Sequence, residues 1–239
     1  MLLSISNFDK QLTEELIRYY THHGKVDGVI LVDSNAAYSQ DVKTAIVAIT
    51  AIGHTDISVR IEYSMRTALR TAVEQLHSLG HRRIAYVGEA LTEKKKKMLT
   101  EELCRLGIDP DSGLLYSSRM RFEAAGRDGV EVLFSDGKER PTAILGAYGY
   151  ITQGIIAALT ERGYSIPKDV SVISMDSDPS PLHAVLDVTR IDTDIESACN
   201  EAIKLIKSRI GSSEPNSPFT VEHNAVFCKG ETVLRIKNG

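Results

Sequence analysis

Asp176 has the type and position that most clearly suggest chemistry: it closes the apolar run VSVISM at residues 170–175. A carboxylate at the C-terminal end of a buried strand has two oxygens with which to accept from adjacent ligand hydroxyls. The same residue can cap a turn, because Ser177, Asp178 and Pro179 follow it. Tyr148 follows a second apolar run, PTAIL at 141–145, and its ring can stack on a flat ligand or simply fill space. Gly146, Gly149 and Gly154 follow that run too, but their spacing is not G-x-G-x-x-G, so turn geometry and close helix–sheet packing are the simpler roles. The run KKKK at 94–97 reads as a solvated helix face. His81, Arg82 and Arg83 follow the helix stop Gly80, where positive side chains complement a helix dipole. Cys104, Cys199 and Cys228 are too far apart for a CxxC or zinc set, and reduced, buried thiols are expected. No HExxH, GxSxG or P-loop pattern is present, nor a nucleophile–base pair legible in one dimension. The reading is of a binding protein and not an enzyme, with no catalytic residue, metal or cofactor.

These residues need a frame to hold them. Segment 141–176 reads as strand, loop, helix, turn and strand: Ile155, Ile156 and Leu159 fall at helical spacing, Gly163 ends the helix and Pro167 prevents its resumption. Such βαβ units build parallel sheets, whose ligands sit where strand C-termini meet the following helices. The same spacing arguments predict further helices at 9–23, 65–79, 92–106, 122–134 and 195–210. Strands are predicted at 26–32, 45–49, 57–61, 83–87, 114–117 and 188–191, with a strand-like start at 1–6 and a short helical turn at 41–43. GSSEPNSP at 211–218 reads as a loop or linker, and 219–236 as closing strand material. Roughly ten strands in one open sheet would be unusual, so two sheets in two lobes are expected.

Composition narrows the class. A chain of 239 residues with 42% hydrophobic residues can bury a substantial core. The formal net charge of −4 provides no basic field for gripping nucleic acid. MLLSISNFDK lacks the basic start and apolar stretch of a signal peptide, and no segment approaches the roughly 18 apolar residues of a membrane span. A soluble, cytoplasmic protein without a membrane partner is the expectation.

Three blocks, SLGHRRIAYVG at 78–88, PTAIL at 141–145 and IPKDVSVISMD at 166–176, stand at spacings that resemble the effector-binding core of the lactose-repressor (LacI/GalR) family of bacterial transcriptional regulators. VDGVILV at 26–32 and residues 188–202 extend the likeness from about residue 1 to 236. The resemblance implies an α/β fold of two Rossmann-like lobes with parallel sheets, periplasmic-binding-protein-like of type I. It places 1–61 and 192–214 in an N-terminal lobe that is incomplete, and 62–191 with 215–239 in a C-terminal lobe. It further implies a sugar or related metabolite bound between lobes, a homodimer, and DNA contact only through a helix-turn-helix that this chain lacks along with one βα unit. A sugar-binding protein of a transport system is the alternative.

On that map Asp176 takes the place of a carboxylate bonding effector hydroxyls, and Lys95 that of an arginine contact. Tyr148 and Gly149 replace an Asn-Asp pair, Ser64 and Met65 an Asp-Asn pair, and Thr50, Arg121 and Thr193 occupy other effector positions. Arg121 with Lys95 would make the pocket cationic, suggesting an effector that carries carboxylate or phosphate.

Overall fold

The computed structural model describes residues 2–6, 9–22, 24–32, 42–50, 57–137, 139–175 and 186–236. Helices form at α1 (Lys10–His22), α2 (Arg66–Ser78), α3 (Glu93–Arg105), α4 (Phe122–Leu133), α5 (Gly149–Glu161) and α6 (Ile195–Arg209). Strands form at β1 (Gly28–Val32), β2 (Ala45–Thr50), β3 (Val59–Ser64), β4 (Ile84–Glu89), β5 (Leu115–Ser118), β6 (Ala143–Gly146), β7 (Ser171–Ser174), β8 (Arg190–Asp192), β9 (Phe219–Asn224) and β10 (Val226–Cys228). The chain divides into two units, Met1–Ser64 with Asp194–Asn224, and Met65–Thr193 with Ala225–Gly239.

The smaller unit is a parallel sheet in the order β1-β2-β3-β9. Strand β2 shows why it holds together. Ile46 and Ala48 pack with Ile17 of α1, while Val47 and Ile49 pack with Ala198 and Ala202 of α6. Alternate residues thus serve opposite faces, and all six are buried, as a strand covered on both sides requires. The segment 211–218 is anchored: Asn216 Nδ2 donates to the Val42 and Thr44 carbonyls at 2.8 and 3.0 Å, and its Oδ1 accepts from Ile46 N–H at 2.9 Å.

The larger unit has the strand order β10-β8-β7-β6-β4-β5, with β10 antiparallel to β8 and every other pairing parallel. Its core is one continuous cluster running from Leu69 and Leu76 of α2 through Tyr86, Ile144 and Ile173 to Ile191. Helices α4 and α5 meet backbone to backbone. A Cβ on Gly126 would lie 2.1 Å from the Ile151 carbonyl oxygen, and one on Gly154 would lie 2.0 Å from that of Glu123. Gly154 therefore permits helix–helix contact, not the helix–sheet packing expected of it.

Other expectations are corrected. Residues 2–6 form no strand, and Leu2, Leu3 and Ile5 are exposed. Val42 and Lys43 are not helical, and Asp41, the first residue of that expected turn, lies outside the described residues. The smaller unit extends to Asn224, beyond the boundary drawn at 214, because β9 pairs in parallel with β3 from Val59↔Phe219 to Ser64↔Asn224. Cys104 and Cys199 are exposed and not buried. His81 does not meet the helix dipole as a cation. It is 2% exposed beneath the C-terminal segment, and Arg82 Nη1 instead donates to the His77 and His81 carbonyls.

Candidate functional site

At the C-terminal end of β4 the chain turns sharply through Ala90–Thr92. Thr92 Oγ1 donates to the Glu89 carbonyl at 2.8 Å and accepts from Glu89 N–H at 2.9 Å. The buried Tyr86 hydroxyl reaches the Thr92 carbonyl oxygen at 2.9 Å and its Oγ1 at 2.7 Å. Burial pushes the Tyr86 phenol far above its ordinary value. Gly88 makes this arrangement possible, since a Cβ there would sit 2.3 Å from the Tyr86 hydroxyl and 2.4 Å from Thr92 Oγ1. The turn fixes Glu89, whose side chain is 5% exposed and whose Oε2 accepts no hydrogen bond among the described residues.

The β5–α4 connection supplies the facing group. Asp128 of α4 accepts from the Tyr116 hydroxyl at 2.7 Å and from Ser118, pinning the helix to β5 and placing Arg121 at its start. Arg121 Nε lies 3.5 Å from Glu89 Oε2, with half of the arginine side chain in solvent. Phe122, next in sequence, has φ 55°, a left-handed backbone that a bulky residue rarely adopts. Its ring meets Tyr148 and Tyr150 edge-on at centroid distances of 6.4 and 5.9 Å, and Arg121 lies over its face at 4.6 Å.

Tyr148 comes from the β6–α5 turn and closes the group. Its hydroxyl accepts from Phe122 N–H at 3.4 Å and lies within the field of the Glu89 carboxylate. Burial, then the Glu89 charge, pushes its phenol far above the ordinary range, so it serves as a neutral donor. Lys95 lies beneath: 2% exposed, it donates from Nζ to the Ala147 carbonyl at 2.9 Å, just before Tyr148. The lysine run is thus not uniformly solvated, because α3 turns this one side chain inward.

Three of the expected site residues, Lys95, Arg121 and Tyr148, are brought together. Thr193 ends a stretch of the larger unit and is buried. Thr50 belongs to the smaller unit, where its Oγ1 faces the Ile61 carbonyl at 3.4 Å. Asp176 lies outside the described residues. Glu89 and Phe122 escaped the sequence reading. Glu89 had one signal, a carboxylate directly after an apolar run, the same pattern that singled out Asp176. A carboxylate, a guanidinium, a phenol and two partly exposed rings suit a polar ligand with a flat apolar face. The arrangement is not the doubly cationic one expected, since Arg121 faces Glu89 and Lys95 holds a backbone carbonyl. Among the described residues no three His, Cys, Asp or Glu side chains are grouped to hold a metal ion.

Residues 73–233 match the family model of the periplasmic binding protein-like domain. The chain is 28% identical over 186 residues to catabolite control protein A of Priestia megaterium, covering 72% of this chain and 55% of that protein. It is 26% identical over 222 residues to the NTD biosynthesis operon regulator NtdR of Bacillus subtilis, covering 87% of this chain and 65% of that protein. It thus spans less than two thirds of the length of either relative. In fold it is similar to a LacI family transcriptional regulator from Enterococcus faecium with bound ribose, at a TM-score of 0.77 and 20% identity, over 93% of this chain and 85% of that one.

Proposed function

The chain belongs to the periplasmic binding protein-like domain family, and from that membership we propose that it is the effector-binding and dimerising core of a LacI-type transcriptional regulator. Its small metabolite, a sugar or sugar derivative, is held at the C-terminal edge of the larger unit's sheet. The observation that carries this reading is the buried Glu89 carboxylate among Arg121, Phe122 and Tyr148, in a chain whose named relatives are regulators. Those relatives favour a regulator over a transport binding protein, and a cytoplasmic setting follows from that role. With a net charge of −4, DNA contact falls to a separate module and not to this core. No helix among the described residues is long and apolar enough to cross a membrane.

Ligand contact falls to Glu89, Tyr148 and Phe122. Lys95 acts from below by holding the turn that presents Tyr148, and Asp176 is a further acceptor on the strength of its place in sequence. Binding biases a two-state equilibrium only through unequal affinity for the two states. Calorimetry against pentoses, hexoses, disaccharides and their phosphates, with sedimentation of the protein with and without each, tests the reading. Saturable binding of at least one, with a rise in melting temperature, is expected. Failure of the whole panel to bind, or turnover of any member, would overturn it.

A further inference from the structure

We propose that the Glu89–Arg121 pair sets the site's selectivity, admitting neutral hydroxyl-bearing ligands and refusing anionic ones: Arg121 swings out and a ligand hydroxyl donates to Glu89 Oε2. This deepens the sensor reading and rests on it. The Oε2 atom is buried and accepts no hydrogen bond among the described residues, a condition that in a native structure calls for an explanation. Arg121 Nε, at 3.5 Å, is beyond good hydrogen-bond geometry, and its side chain is half in solvent, so a ligand hydroxyl that donates directly to Oε2 can replace it. Arg121, which links this acceptor to the face of Phe122 at 4.6 Å, then leaves that partly exposed ring and its edge-on neighbour Tyr150 free to carry the C–H face of a cyclic polyol. The strained φ of Phe122 falls at the same spot. An anionic ligand meets the opposite situation. The arginine charge is already matched by Glu89, and a second negative group beside that carboxylate in a buried setting is penalised.

The test is calorimetry with ribose, glucose and cellobiose against ribose 5-phosphate, glucose 6-phosphate and inorganic phosphate, on the full chain and two variants. The unsubstituted protein binds a neutral sugar and neither its phosphate ester nor inorganic phosphate. Glu89→Gln weakens the neutral sugar by about tenfold to a hundredfold, as for loss of a charge-assisted bond, and begins to take up phosphate through the released arginine. Arg121→Met, which removes the group that competes for Glu89, binds the neutral sugar severalfold more tightly and still refuses phosphate, which decides the matter should Glu89→Gln fold poorly. Preference for a phosphate ester, an unchanged neutral-to-anion ratio in Glu89→Gln, or neutral binding that is no tighter in Arg121→Met each overturns the pair's role while leaving the sensor reading intact. If none of the six probes binds, the comparison is repeated with whichever neutral sugar of the wider panel binds and its phosphate ester, and silence from that whole panel overturns both readings together.

Discussion

A polar side chain's behaviour is settled by what folds over it, and His81 illustrates this. Leu234 and Thr142 close on its ring from distant parts of the chain, at 2.9 Å from Nε2 and 3.0 Å from Nδ1. A carbonyl can only accept, so Nε2 carries the proton, and the Thr142 hydroxyl shares its own proton between Nδ1 and the Arg83 carbonyl, 3.2 Å away. Burial, opposed by the Leu234 bond and aided by the Arg82 charge, lowers the His81 pKa below the ordinary value of about 6.5. On acidification the unfolded chain takes up the proton first. His81 therefore contributes stability that is complete above pH ~6.5 and is lost as the pH falls through the depressed folded value. Melting temperatures between pH 7.5 and 5.5 should decline more steeply for the wild type than for His81→Gln; parallel slopes would show that the ring is not held neutral. The same dependence on distant segments explains why Lys95 read as a solvated lysine, and why Glu89 was passed over for Asp176. Type and local position were visible for all three, but their cover was not.

At the scale of elements, periodicity carried most of the information. The α4 helix expected over 122–134 forms at Phe122–Leu133, because its apolar spacing matches a single buried face. The expected strand and helical turn are absent at 2–6 and at 42–43 because short apolar or polar stretches carry no period of their own. The contact between α4 and α5 lay beyond such reasoning, since a glycine inside a helix does not announce which backbone it admits. Gly154→Ala places a Cβ 2.0 Å from the Glu123 carbonyl oxygen, and backbone atoms cannot rotate out of the way. The helices must separate, at a cost of about 1–3 kcal/mol, visible as a lower urea midpoint at an unchanged slope. Arg121 and Phe122 lead into α4 and Tyr148 into α5, so the variant should also loosen the ring cluster and weaken ligand binding. An unaltered midpoint would mean that the crossing is wider than described.

For the whole molecule, two α/β units follow from the number of strands, but their borders do not. Strand β9 has a plain amphipathic appearance that suits either sheet, and only its pairing with β3 assigns it to the smaller unit. Register across a long sequence separation is set by shape and partner, which no local pattern encodes. The division has an energetic consequence. The larger unit buries β4, β6 and β7 in one continuous apolar cluster, whereas the smaller unit's core is split into separate clusters on the two faces of its sheet. Strands β1 and β9 at its edges are partly exposed. Local opening is easiest where apolar contacts are few and backbone bonds face water. Native-state hydrogen exchange should therefore be slowest at Ile144, Leu145, Val172 and Ile173, and faster by at least about tenfold at Val29, Ile30, Thr220 and Val221. Equal protection in both sets would instead require that the two units open only together, as one cooperative body, despite their separate cores.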